Sequence, residues 1–264
     1  MNIVVSIKQV PSTEAKIKVA ADGLDIERTG LSFVVNPYDE FGLEEALRIK
    51  ERLGSGSVTA LTLGPEKAQE ALRTCLAVGA DQAVHLKDPG FEGGDAYSTA
   101  LVLAAAIKRL PFDILFFGKQ AIDDDNGAVG IHVAEMLGLP HVAVVNKLEV
   151  DAAAKRAIAH RQIEGAIEVI EVSLPALFTC QKGLNEPRYA SLPGIMKAKQ
   201  KPLTVLTMAD LGLKAEEVGK AGSRVLLRQM SPPAPRSAGK ILNGEPAQAV
   251  GELVHLLHED ARVL

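Results

Sequence analysis

Residues 118–130 read Gly118-Lys119-Gln120-Ala121-Ile122-Asp123-Asp124-Asp125-Asn126-Gly127-Ala128-Val129-Gly130. They follow an apolar run ending at Phe117 and lead into apolar residues at helical spacing. A strand-to-helix junction of this kind belongs at the carboxyl end of a parallel sheet, where open α/β sheets place ligands. Gly127, Ala128 and Gly130 let a ligand approach the backbone, and a helix start offers unpaired N–H groups to an anion. The dipole contributes about 0.3–1 kcal/mol, which orients a phosphate without supplying the affinity. The chemistry indicated is nucleotide binding. The same Asp residues would equally serve an ordinary capping loop.

Two further junctions point to the same edge. Asn36-Pro37-Tyr38-Asp39-Glu40 precedes a helical pattern at Leu43, Ala46 and Leu47, with Asn36 or Asp39 as its cap. Leu63-Gly64-Pro65-Glu66 ends one strand pattern and opens another helix, with Pro65 in its first turn. Each alone reads as capping; together they favour a nucleotide cleft. No G-x-G-x-x-G follows the first strand, and the chain has no G-x-x-x-x-G-K-[ST], H-E-x-x-H or G-x-S-x-G. Asp123, Asp124 and Asp125 are adjacent on a turn and cannot all face one metal ion. Neither a catalytic residue nor a metal site is expected, so the site holds a nucleotide without reacting it.

The positioning elements alternate. Strand patterns occupy 3–7, 58–63, 83–86, 113–117 and 141–145, with helical patterns between them, including 101–110. This alternation implies right-handed crossovers and a mainly parallel sheet. After about residue 146 the pattern changes to polar-faced strands at 148–150, 156–164 and 167–172, which read as an antiparallel edge. The fold class is therefore α/β. Residues 1–181 form the nucleotide-binding domain, 182–202 a loop, and 203–264 an extended C-terminal arm that packs on its own core or on a partner.

Composition narrows the possibilities. The 264 residues carry a net charge of -4, 47% hydrophobic residues, 4% aromatics and no Trp. That charge gives no general attraction to nucleic acid or anionic membranes, and the core must be aliphatic. Cys75 and Cys180 form no C-x-x-C pair, so neither a disulfide framework nor a zinc site is indicated. No apolar stretch reaches the ~18 residues of a membrane span. The N-terminal residues read as a strand with no secretory signal, and a bacterial or archaeal cytoplasm is the expected location.

Three segments closely resemble the electron-transfer flavoprotein beta subunit. They are Asn36–Glu40, Gly118–Asp125, and the long run Asn185-Glu186-Pro187-Arg188-Tyr189-Ala190-Ser191-Leu192-Pro193-Gly194-Ile195-Met196-Lys197-Ala198-Lys199. Leu72-Arg73-Thr74, Gly79-Ala80-Asp81, and the residues around 161–166 and 174–177 are similar as well, with Ala166 a departure from the family's usual Gly or acidic residue. The similarity runs from residue 1 to about 215.

The resemblance implies a Rossmann-like adenine-nucleotide-binding fold and a heterodimer with an alpha subunit that carries the redox-active FAD. It implies a structural AMP in this chain, contacted from Ser6, Asn36, Pro37, Tyr38, Asp39, Leu63 and the run Phe117 to Ala128. A subset of the family bifurcates electrons, with a second FAD in the AMP position and NADH nearby. Here Asp124 resembles the AMP type, Val129-Gly130 also occurs in the other, and Gly127-Ala128 matches neither well.

By the same resemblance the loop docks acyl-CoA dehydrogenases, with Leu192 as anchor and Pro193, Ile195, Met196, Lys197 and Lys199 around it, and electrons pass on to a quinone-linked oxidoreductase. The loop's cations, Lys182, Arg188, Lys197, Lys199 and Lys201 against Glu186, form a positive patch that would steer an acidic partner. Taken without the resemblance, Leu192 would fold back on the core and the lysines would be a solvated face. Competing classes are a stand-alone adenine-nucleotide protein and an NAD-linked dehydrogenase. Lys8-Gln9-Val10-Pro11 in place of a Gly-rich pyrophosphate loop opposes the first, and the missing glycine fingerprint opposes the second.

Overall fold

A computed structural model describes residues 1–235 and 238–264. The strands, in chain order, are β1 (Asn2–Ser6), β2 (Gln9–Pro11), β3 (Phe33–Val35), β4 (Ser57–Leu63), β5 (Gln82–Leu86), β6 (Ile114–Gly118), β7 (His141–Asp151), β8 (Arg156–Ile163), β9 (Ala166–Ser173), β10 (Ala176–Cys180) and β11 (Leu203–Leu206). The helices are α1 (Pro37–Leu53), α2 (Gln69–Val78), α3 (Ala96–Ile107), α4 (Val129–Leu137), α5 (Leu192–Ala198), α6 (Met208–Leu211), α7 (Gly219–Gly222) and α8 (Pro246–His255).

Nine strands form one sheet in the order β11-β5-β4-β1-β6-β10-β7-β8-β9. The strands from β11 to β7 pair in parallel, and β7, β8 and β9 form an antiparallel meander. The α/β class with a mainly parallel sheet and antiparallel edge is as the sequence implies. From β1 the chain first builds outward through β4 and β5, then crosses to β6 on the other side. The edge beside β1 is therefore a topological switch point, where a crevice opens outside the strand ends.

Successive residues of the buried strands feed opposite faces. Ile3, Val5, Phe116 and Phe178 pack with Leu43, Leu47, Leu72 and Leu76 of α1 and α2. Val4, Leu115 and Leu177 pack with Val102, Leu103, Ile107 and Val133 of α3 and α4 on the other face. Local sequence sets the limits of α1: Pro37 is in its first turn with Asp39 and Glu40, Lys50 and Arg52 are in its last, and Gly54 ends it with φ 66°.

Several elements differ from the sequence reading. The patterns at 141–145 and 148–150 are one strand, β7. Its register shifts between Val145 and Lys147, next to Val144 at φ 61°, so it pairs in parallel with β10 at one end and antiparallel with β8 at the other. Residues 192–198, expected as loop, form α5, because the Ser191 side chain caps the Gly194 N–H and Pro193 suits a first turn. Residues 203–206, a strand-like piece at the start of the expected arm, pair in parallel with β5.

Residues 1–17 and 27–228 make one compact unit, and residues 18–26 and 229–264 make a second. Within the second unit the Met230 N–H donates to Gly23 O at 2.7 Å, and α8 leaves Val250, Leu253 and Val254 exposed. Among the described residues no helix is long and apolar enough to cross a membrane.

Candidate functional site

A cavity of about 590 Å³ opens at the switch point, within the roughly 300–1,000 Å³ typical of small-molecule sites. Strand tips supply one wall: Ser6 ending β1 with Ile7 and Lys8 after it, Leu63 ending β4, and Phe117 and Gly118 at the end of β6. Asn36 and Asp39, from the start of α1, and residues 119–121, 124 and 126–130 continue it.

Two side chains stitch these pieces together. The Asp39 carboxylate accepts the Lys8 N–H at 2.7 Å and the Gly118 N–H at 2.9 Å, tying the β1 tip to the β6 tip. Asn36 donates through Nδ2 to Gln120 O at 2.9 Å and accepts the Ile122 N–H at 3.3 Å, fixing the following loop. Burial pushes the Asp39 carboxyl up to about 7, against the pull of the Lys8 and Gly118 N–H groups and of Asn36. Gly118 is required by space: a Cβ there would collide with Asp39 Oδ1 and lie 2.8 Å from Tyr38 Cβ.

At the other end of the loop, α4 begins with no side-chain cap, so its first N–H groups are left for a ligand or water. Gly127, at φ 65°, makes the turn into it. The loop's acidic residues are already engaged. Lys8 Nζ pairs with Asp123 at 2.8 Å and Asp124 at 3.2 Å, and Asp125 accepts from Gln120 Nε2 at 2.5 Å. They balance a cation at the rim and do not converge on a metal.

Of the residues singled out in sequence, Ser6, Asn36, Asp39, Leu63, Phe117, Gly118, Lys119, Gln120, Ala121, Asp124, Asn126, Gly127 and Ala128 line the cavity. Pro37, Tyr38, Ile122, Asp123 and Asp125 stand behind it as supports. The Tyr38 ring, for example, lies under Lys119 Nζ, 5.1 Å from the ring centroid. A second wall was not anticipated. Tyr97 on α3 lies beneath the Arg224 guanidinium at 3.5 Å and meets the His132 ring edge-on at 6.5 Å. Asp95 holds this wall in place, accepting the N–H groups of Arg224 at 2.7 Å and Val225 at 3.0 Å. Nothing local in residues 95–97 or 224–225 signals the contact, because the fold brings them together from distant parts of the chain.

The uncapped N–H groups at the start of α4 and the size of the cavity fit an anionic ligand such as a mononucleotide.

Residues 23–211 match the family model described as the electron transfer flavoprotein domain. The chain is 42% identical to a Bacillus subtilis protein named electron transfer flavoprotein subunit beta, over the whole of both chains. A Thermoanaerobacterium thermosaccharolyticum protein of the same name is 42% identical over 98% of each chain. An Acetobacterium woodii protein named caffeyl-CoA reductase-Etf complex subunit CarD is also 42% identical over 98% of each. The chain belongs to the electron transfer flavoprotein family, as a beta subunit. Its work is in electron transfer.

In this beta subunit residues 182–202 surround α5, which presents Leu192, Ile195 and Met196 to solvent, with Leu192 79% and Met196 73% exposed. Tyr189 beside them is 96% exposed. Pro193 is in the first turn of α5, Lys197 in its last, and Lys199 caps its end. The charge balance differs from the sequence reading. Arg188 is spent on Glu44 and Glu51, and Lys201 donates to the Leu76 and Ala80 carbonyls at 2.9 and 2.6 Å. Lys182, Lys197 and Lys199 make no ion pair among the described residues, and they carry what remains of the patch.

Proposed function

We propose that this chain is the beta half of a heterodimeric electron transfer flavoprotein, that its cavity holds AMP as a structural nucleotide, and that α5 docks acyl-CoA dehydrogenase-type partners. The FAD of an alpha subunit supplies the one-electron chemistry. Electrons enter from the dehydrogenase and leave to a quinone-linked acceptor. The observation that carries the reading is the cavity itself, with apolar strand tips for a base at one end and the open start of α4 for a phosphate at the other.

This chain's residues then act as scaffold. Asp39 and Asn36 hold the cavity walls in register, Gly118 leaves them room to do so, Gly127 makes the turn into α4, and Lys8 offsets the rim carboxylates. The exposed apolar face of α8 supports the second unit packing on the alpha subunit. The bacterial relatives are consistent with work in a bacterial or archaeal cytoplasm.

A second reading places another FAD in the cavity, with NADH bound nearby, and makes the complex bifurcating. Val129-Gly130 in the sequence favours keeping it. Co-expression with the neighbouring alpha-type chain, acid extraction and quantification of bound nucleotides separates the two. One FAD and one AMP per heterodimer is expected. Two FAD, with bleaching by NADH, would replace the AMP reading by the bifurcating one.

A further inference from the structure

The segment that carries α5 leaves the sheet at Cys180 and returns at Leu203. No strand pairing holds it between those points. Leu184, Ala190 and Ala198 pack on the core, and polar and charged side chains hold the segment at both ends. At its start Arg188 donates through Nε to Glu44 Oε2 at 2.8 Å and through Nη2 to Glu44 Oε1 at 3.1 Å, while Nη1 and Nη2 reach the Glu51 carboxylate at 2.5 and 3.0 Å. Glu44 is 3% exposed, so its charge depends on that fork. Burial alone would raise its carboxyl, and Arg188 and Arg48 together hold it below the ordinary value. Asn185 Nδ2 adds bonds to Phe41 O and to the buried Glu45, both at 3.0 Å. At the far end Arg73 donates to Ala198 O at 2.9 Å, and Lys201 donates to the Leu76 carbonyl in α2 and to the Ala80 carbonyl just beyond it.

All the partners at the start lie on α1, one helix with a single rigid course. A fork that donates to two carboxylates at once fixes orientation as well as distance, which a lysine cannot do. The exposed side chains Tyr189, Leu192 and Met196 follow directly after Arg188. A docking face held in its binding shape beforehand loses less entropy on association.

We propose that Arg188 is a positioning residue for partner docking: its fork onto Glu44 and Glu51 presents the α5 face in its binding geometry without touching the partner. This rests on the docking role given to α5 above.

The test is steady-state reduction of the intact heterodimer by an acyl-CoA dehydrogenase and its acyl-CoA substrate, with the heterodimer as the varied component. Arg188→Ala is expected to raise KM for the heterodimer about tenfold, with kcat within about twofold of the parent. Arg188→Lys, which keeps the charge and loses the fork, gives an intermediate KM. Glu51→Ala removes only the exposed arm, leaves the buried pair intact and gives a smaller rise, so it serves where Arg188→Ala yields too little folded protein. Alpha-subunit FAD content and the thermal midpoint report on folding.

Leu192→Ala is the control for the underlying reading. If it raises KM and the Arg188 and Glu51 variants do not, the positioning role is wrong and docking stands. If Leu192→Ala also leaves KM unchanged, docking through α5 is wrong and the positioning role falls with it. A fall in kcat at unchanged KM in Arg188→Ala would likewise overturn it.

Discussion

The cavity is walled on one side by backbone at the tips of β1, β4 and β6, with Asp39 and Asn36 as its stitches. The docking segment has no strand beneath it and is fixed by Arg188, Asn185, Arg73 and Lys201 reaching onto helices. In the first region the fold does the positioning and side chains refine it; in the second, side-chain clamps supplement the packing of α5 on α2. Backbone walls tolerate surface change but not intrusion. Side-chain clamps tolerate change of the presented face but not loss of a partner.

The largest effect expected in the cavity follows from Asp39. Its carboxyl is raised from 3.8 to about 7 by burial. Between those values the folded chain binds more protons than the unfolded one, so stability falls as pH rises through that window and is level above it. The full drop from this group is about 4 kcal/mol. Urea unfolding midpoints from pH 4 to 7 should show this decline in the parent and a flatter profile in Asp39→Asn; parallel profiles would mean that Asp39 is ionised throughout.

Gly118→Val comes next. Its side chain would meet Asp39, Tyr38 and Asn36, with a cost of about 3 kcal/mol. Adenine-nucleotide content per heterodimer should fall sharply while docking through α5 persists, and loss of both together would show that the two regions are not separable.

On the docking side Leu192→Ala should slow electron transfer from an acyl-CoA dehydrogenase by about ten- to a hundredfold, since burying one Leu contributes about 1.5–3 kcal/mol. Nucleotide content should not change. The smallest effect belongs to the free cations. Lys197→Gln with Lys199→Gln should weaken docking by less than about 1 kcal/mol and reduce its salt dependence. A larger loss at high salt would mean that these lysines make buried contacts.

Legibility in the sequence followed the same division. The first strands and the three junctions were readable because continuous apolar runs and local capping residues report on their own neighbourhood. Tyr97 and Arg224 were not, since neither signals a partner more than a hundred residues away. Leu192-Pro193-Gly194 looked like a breaker, yet after Ser191 the proline begins a helix. Arg188 and Lys201 counted toward a surface patch until the structure showed what they hold. Charge can be counted from sequence, but whether it faces water is decided by tertiary contacts. β10 was missed because its run is short: Ala176–Cys180 is five residues with the polar Thr179 among them, and a run that short is ambiguous even when wholly buried.

That strand has a further consequence for how the molecule is made. β10 lies between β6 and β7, although β7, β8 and β9 all precede it along the chain. Until residues 176–180 emerge during synthesis, β6 and β7 have no neighbour to join them, and each presents an open edge. The central strands and the meander must therefore wait as two separate pieces, and the last-made interior strand closes the gap between them. Assembly is governed by a contact that is late in sequence and central in space, an order that slows folding and exposes apolar surface in the interval.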